Sequence, residues 1–408
     1  MMQSSTNHVL FIGLVWPEPT SSAAGYRIVQ LVNLFVERGY QVTFVSAAQK
    51  TERSYHFPKE VKQINILLNN ETFDELLLSI CPNIVVYDRF MIEEQYGWRV
   101  RKNCPKALTI LDTEDLHFVR KAREESYKKN TPLNLHTTEA KRELASILRT
   151  DVSLLISSEE IKILADFNIP PSKIVWLPFV ERDNLNLINL PGFHERQDFC
   201  FIGNFIHEPN YQTVKLLKST YWPCIRKKKP KANLYIYGSY PTQKVWNLHQ
   251  PKDGFYVIGA VDDVNEVLQK HRVLIAPIPF GAGIKGKFVD GCKNKIPNVT
   301  TQVGAEAMFD EYWNGAIANQ PEDFCNYAVK LYEDENFWNE SVLNGEKLYA
   351  KYYQNSIYLD NFWQVVDAIK ANVESHRNKH FLGEILFYEQ LQATKYFSLW
   401  ISEKNKMF

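Results

Sequence analysis

The chain reads as an α/β protein with two Rossmann-like halves, and three observations point there. A strand–helix–strand unit opens it over residues 8–47. From residue 198 an apolar strand ending in glycine, then a loop and a helix, repeats that opening in outline. At 408 residues the chain is long for one core and comfortable for two.

Taken in order, residues 8–13 (HVLFIG) form a first buried strand, and the loop WPEPTSSAAG follows it. Ile28, Leu31, Val32, Phe35 and Val36 recur at helical spacing and predict a helix over about 25–38. Gly39 stops it, and residues 41–47 are the next strand. Ser21, Ser22 and Gly25 lie at the helix start, where an anion or a sugar hydroxyl could bind; N-capping is the plain alternative. Strand-like runs follow at 64–68, 84–87, 107–111 and 154–157. The run at 107–111 leads into Asp112, Thr113, Glu114, Asp115, Leu116 and His117, then Arg120 and Arg123. Ligands of open α/β sheets bind beyond the carboxyl ends of strands, so this carboxylate–histidine cluster stands where an acceptor hydroxyl could be oriented or deprotonated. A charge-satisfied helix start is the alternative. Ser157, Ser158, Glu159 and Glu160 open another helix with capping-box character.

The composition around residues 180–197, with Asp183, Asn184, Asn186, Asn189, Pro191 and Gly192, is that of a linker. The second half then supplies a strand ending in Gly203 and Asn204, a helix over about 211–229, a strand ending in Gly238, and a strand at 255–259 before Val261. Arg226, Lys227, Lys228 and Lys229 end that helix before Pro230; cations there complement the helix dipole and do not make a nucleic-acid patch.

The organising stretch is FGAGIKGKFVD, residues 280–290, after the buried apolar run at 273–278. Gly281, Gly283 and Gly286 fall within six residues, and Ile284, Phe288 and Cys292 share a helical face. Glycines admit close backbone approach, first-turn N–H groups point outward, and Lys285 and Lys287 add two cations, which suits a diphosphate. The spacing is neither that of the P-loop nor of the dinucleotide fingerprint, and solvated lysines after a plain glycine loop are the alternative.

Lys plus Arg and Asp plus Glu are both 47, so no global field argues for nucleic acid. Six scattered cysteines with no C-x-x-C pair fit reduced thiols in a cytoplasmic protein, neither a disulfide framework nor a zinc site. No apolar segment approaches 18 residues, so nothing is expected to span a bilayer.

The segment PIPFGAGIKGKFVDGCKNKIPNVTTQVGAEAM resembles the donor site of GT-B glycosyltransferases of the group 1 type (family four), in the clade that builds bacterial cell-surface polysaccharides. The resemblance covers about residues 8–370. It implies a GT-B fold, with two Rossmann-like domains facing a cleft and a last helix crossing back. It places a domain of residues 1–185 on the acceptor side, a donor domain at 186–360 and a helical segment at 361–408. The implied activity is a retaining, metal-independent transfer of a sugar from a nucleotide diphosphate sugar to a glycan or lipid-linked acceptor, with no cofactor. Donor contacts are implied for Gly203, Asn204, Gly238, Val261, Gly281, Gly283, Lys285, Lys287 and Asp290, the last at the position of a ribose-binding glutamate. Val261 stands in the turn that supplies backbone contacts to the base. A histidine often serves in the acidic loop, so His117 and Glu114 are both catalytic candidates. Acceptor contacts are assigned to Ser22, Gly25, Asp115 and Arg120. Many members carry a second glutamate eight positions before the ribose-binding one; this chain has Ala282 there, so the identity of the sugar does not carry over. The tail over residues 380–401 is expected to pack on the N-terminal domain, a peripheral contact with the inner membrane face being the other reading. A non-catalytic GT-B binding protein is the alternative from another functional class, and a GT-B epimerase fits the K-G-K start poorly.

Overall fold

A computed structural model describes residues 7–181, 190–308 and 311–406. The expected junction between residues 185 and 186 lies outside the described residues. Two all-parallel sheets are present. The first comprises β1 (His8–Gly13), β2 (Gln41–Ser46), β3 (Val61–Asn65), β4 (Ile84–Asp88), β5 (Leu108–Asp112), β6 (Val152–Leu155) and β7 (Ile174–Trp176), in the order β3-β2-β1-β4-β5-β6-β7. The second comprises β8 (Gln197–Ile202), β9 (Leu234–Tyr237), β10 (Phe255–Gly259), β11 (His271–Ala276), β12 (Asn298–Thr300) and β13 (Gly315–Ile317), in the order β10-β9-β8-β11-β12-β13.

Helices on both faces explain the unbroken apolar runs of the central strands. In β1, Val9 and Phe11 enter one core layer while Leu10 and Ile12 enter the other. Each sheet reverses direction of growth beside its first strand, between β1 and β4 and between β8 and β11. Such switch points open a crevice at the carboxyl ends of the strands.

The expected C-terminal crossing is present. Helix Ile357–Ala371 returns to the first sheet, placing Phe362, Trp363, Val366 and Ile369 in the same core as Phe35 and Tyr40. Trp363 meets Phe35 edge-on at 5.0 Å between ring centres. The last helix, Phe381–Lys406, lies on the N-terminal domain, with Gly383 against the Leu148 carbonyl and Glu384 paired with Arg101. Phe381, Leu382, Ile385, Tyr388, Phe397 and Trp400 face outward. None of the described helices is long and apolar enough to cross a membrane.

Three local expectations shift. The predicted strand at 64–68 forms instead at Val61–Asn65, because register with β2 ends at the Ser46–Asn65 pair and leaves Leu67 and Leu68 exposed. The single helix over 211–229 is interrupted by a π turn, Leu217–Tyr221, before Trp222–Lys228. Pro223 lacks the N–H that a continuous ladder needs there. A further strand, β13, follows the expected last one; its three residues, Gly-Ala-Ile, are too few to show a period.

Candidate active site

The two switch points face each other, and between them lies a cleft of about 470 Å³. The wall expected to take the donor, called the donor wall below, is built by the ends of β8 and β11. Gly203 and Asn204 follow β8, and Gly238, with φ +153°, follows β9. A Cβ at Gly238 would stand 1.8 Å from the Gly203 carbonyl oxygen, so the two turns meet only because that position has no side chain. Val261 lies beyond β10 on the same wall.

After β11 the glycine loop enters helix Gly286–Lys293, with Lys285 as its N-cap residue. Lys285 Nζ donates to the Gly283 carbonyl at 2.9 Å, and Lys287 Nζ donates to Asn210 Oδ1 at 2.8 Å above the Phe201 ring. Among the described residues no carboxylate lies within ion-pair distance of either ammonium. Burial lowers the Lys285 ammonium to about 8, with Glu306 opposing the shift. Burial and then the neighbouring Lys285 lower Lys287 to about 7. Asp290, one turn on, is raised to about 7 by burial and by Glu181. Two half-buried ammonium groups thus stand in the cleft with no carboxylate in contact among the described residues, Glu306 and Asp290 acting on them only from further away.

The wall expected to take the acceptor, called the acceptor wall below, is the loop after β5 with the end of β4. Asp115 receives Arg120 Nε at 2.7 Å and lies 3.5 Å from His117 Nε2. Burial works against its charge, but Arg120 and His117 outweigh it and hold Asp115 at about 2. Burial lowers His117 to about 4, so the ring is neutral. Glu114, at φ +60°, accepts from Arg89 Nε at 2.6 Å through Oε2. Its Oε1 has no hydrogen-bond partner among the described residues. Burial raises Glu114 to about 7, Arg89 opposing and Asp88 adding to the shift. Ser22 caps helix Ala23–Glu37 by accepting from Gly25 N at 3.0 Å, and it also lines the cleft.

The cleft wall therefore brings together Ser22, Glu114, Asp115, His117, Arg120, Gly203, Asn204, Gly238, Val261, Gly281, Lys285, Lys287 and Asp290. It leaves out two expected residues. Gly25 packs under the Glu18 backbone, where a Cβ would come within 2.6 Å, a close approach that gives the glycine a packing role away from the cleft wall. Gly283, at φ +62°, donates its N–H to Glu160 Oε1 at 2.9 Å, so that amide is already occupied within the protein. No group of three or more His, Cys, Asp or Glu among the described residues is arranged to hold a metal ion.

The profile of the family described as Glycosyl transferases group 1 matches residues 196–334. The match is confined to the C-terminal domain, which is similar to that family over those residues. No curated protein matches it in sequence. Among solved structures, sucrose-phosphate synthase from Thermosynechococcus elongatus aligns with TM-score 0.70 and 14% identity over 90% of this chain and 100% of that one. Anabaena HepE in complex with UDP-glucose aligns with TM-score 0.65 and 9% identity over 89% and 99%. The pneumococcal O-GlcNAc transferase GtfA in complex with UDP and GlcNAc aligns with TM-score 0.60 and 11% identity over 90% and 99%. Against a S. aureus TarM mutant the TM-score is 0.57 at 12% identity; 72% of this chain is covered, and it spans 57% of that protein's length. At such identities the likeness carries the fold alone, and that fold is GT-B.

Sequence reasoning missed several residues of this cleft. Arg89, at φ +72°, forms the base of the acceptor wall and reaches Asp88 at 3.3 Å as well as Glu114. Its place just beyond β4 at the switch point was a usable signal. His207 also lines the cleft, lowered to about 4 by burial and Arg120. Arg123 spans the cleft to Glu306, at 2.5 and 2.9 Å, and to the Gly281 carbonyl at 2.8 Å. Nothing local marks that last pairing.

Proposed function

We propose that the protein is a retaining, metal-independent glycosyltransferase that moves a sugar from a nucleotide diphosphate sugar to a hydroxyl of a glycan or lipid-linked glycan. The observation that carries this reading is the pair of desolvated lysines, Lys285 and Lys287, that lack a carboxylate partner among the described residues at the helix start facing the cleft. As the bond between the anomeric carbon and the diphosphate oxygen breaks, negative charge grows on the leaving group. Cations already aimed at that place stabilise the charge without reorganising. The same two cations take the part that a divalent metal plays elsewhere, so no cofactor is needed.

Asp290, on the cleft wall one turn beyond Lys287, suits hydrogen bonds to the ribose hydroxyls, and the turn at Val261 suits the base. The acceptor oxygen forms the new bond, and its proton goes to a base. Glu114, raised to about 7 with an unpartnered oxygen, is placed to take it, and His117, lowered to about 4, orients the hydroxyl while neutral. Solved GT-B neighbours in complex with UDP-glucose, and with UDP and GlcNAc, support a nucleotide sugar as donor. The outward apolar row on helix Phe381–Lys406 fits a peripheral contact with the inner membrane face of the cytoplasm. A panel of nucleotide sugars tests the reading by thermal stabilisation and by slow donor hydrolysis. Stabilisation by one UDP- or GDP-sugar is expected; a panel with no effect in either assay overturns it.

A further inference from the structure

Glu160 sits at the third position of helix Ser158–Asp166, behind the N-cap Ser157, whose hydroxyl accepts the Glu160 N–H at 3.4 Å. A glutamate there ordinarily turns back to the N-cap amide. Here the carboxylate turns away instead. Its Oε1 accepts from Leu116 N at 2.7 Å and from Gly283 N at 2.9 Å. Leu116 stands between Asp115 and His117 on the acceptor wall, and Gly283 lies two residues before Lys285 on the donor wall. One oxygen thus joins the two loops that carry the chemistry.

The joint is buried and tight. Glu160 is 2% exposed, and its other oxygen has no hydrogen-bond partner among the described residues. A Cβ on Gly283 would stand 2.9 Å from Asp115 Cβ, so the loops touch where Gly283 has no side chain. Two residues earlier, Arg123 holds the Gly281 carbonyl and Glu306 from the acceptor side. The donor loop is therefore fastened at Gly281 and at Gly283 by residues of the opposite domain. Lys285 in turn rests on the Gly283 carbonyl.

We propose that Glu160 is a positioning residue that sets the acceptor loop against the donor loop, so that filling the diphosphate site orders the acceptor carboxylates. This rests on the donor-site reading above. Hydrogen exchange on the full chain tests it. In Glu160→Ala, amides in peptides covering 112–118 and 280–287 should both exchange about tenfold faster or more, because each loses a buried acceptor. Glu160→Gln keeps an oxygen acceptor and should restore protection in both. A purely local role would move only the helix that carries residue 160. If Glu160→Ala fails to fold, Glu160→Leu fills the space without an acceptor and carries the same comparison. Adding UDP to wild type should slow exchange in both loops, and in Glu160→Ala in the donor loop alone. Unchanged exchange in either loop without nucleotide overturns the bridge. Equal UDP protection of 112–118 with and without Glu160 overturns the coupling. UDP and GDP leaving the wild-type donor loop untouched overturns the donor reading itself, while the nucleotide-free comparison still judges the bridge.

Discussion

On the donor wall Lys285 and Lys287 donate to neutral oxygens, Gly283 O and Asn210 Oδ1. On the acceptor wall Asp115 has Arg120 and Glu114 has Arg89, at 2.7 and 2.6 Å. Both walls are half-buried, so the difference is one of compensation. Desolvation penalises an isolated charge heavily and a paired one far less. On the acceptor wall that cost is settled internally at Asp115, held at about 2, and only in part at Glu114, raised to about 7 against the pull of Arg89. On the donor wall it is not, as the lowered lysines show, and an incoming diphosphate would settle it.

The most direct way to break this contrast is to remove one donor-wall cation. Lys285→Ala or Lys287→Ala should cut turnover about a hundredfold, about 3 kcal/mol of transition-state stabilisation. UDP or GDP should bind more weakly, while a nucleoside without phosphates binds as before. The melting temperature should not fall, since a desolvated cation without a counter-charge contributes no stability. Steady-state kinetics, calorimetry and thermal melts check the three points; intact diphosphate affinity in both variants would return the lysines to the solvated reading.

On the other wall, Arg120→Ala leaves Asp115 buried without its strongest partner. Transfer to acceptor, measured as kcat/KM, should drop about tenfold, the scale of one lost charge-assisted hydrogen bond. UDP affinity should stay within twofold of wild type, by about that margin of calorimetric comparison. Equal loss of UDP binding in this variant would mean that the walls are not separate.

Protonation offers a finer probe. A bound anion favours the charged lysines, which burial holds at about 8 and about 7. Their pKa values must rise in the complex, so binding takes up protons and affinity falls as pH climbs through about 7 to 8. Calorimetry in two buffers of different ionisation heat measures the uptake, and Lys287→Ala should reduce it. Identical uptake in wild type and variant counts against lysine as the source.

The smallest expected effect is no effect. Because the protein supplies the cations, activity should survive EDTA. A strict need for Mg²⁺ or Mn²⁺ would show that the lysines alone do not balance the leaving group.

What residue order alone determined is what local physics controls. Buried parallel strands need apolar runs, and β1, β4, β9 and β10 begin where those runs begin. Close backbone turns need glycine, which made the loop before Lys285 and Lys287 visible along with the turns at Gly203 and Gly238. Tertiary structure decided how the side chains are spent. Ser157 and Glu160 have capping-box spacing, yet the carboxylate goes to Gly283, 123 residues away. Arg123 and Glu306 are separated by 183 positions, and no periodicity links them. Arg89 stands at φ +72° because the ends of β4 and β5 hold it between Asp88 and Glu114. Such choices follow from which groups lose water together when two domains close. Desolvation is a property of the assembled cleft, and no short stretch of chain encodes it.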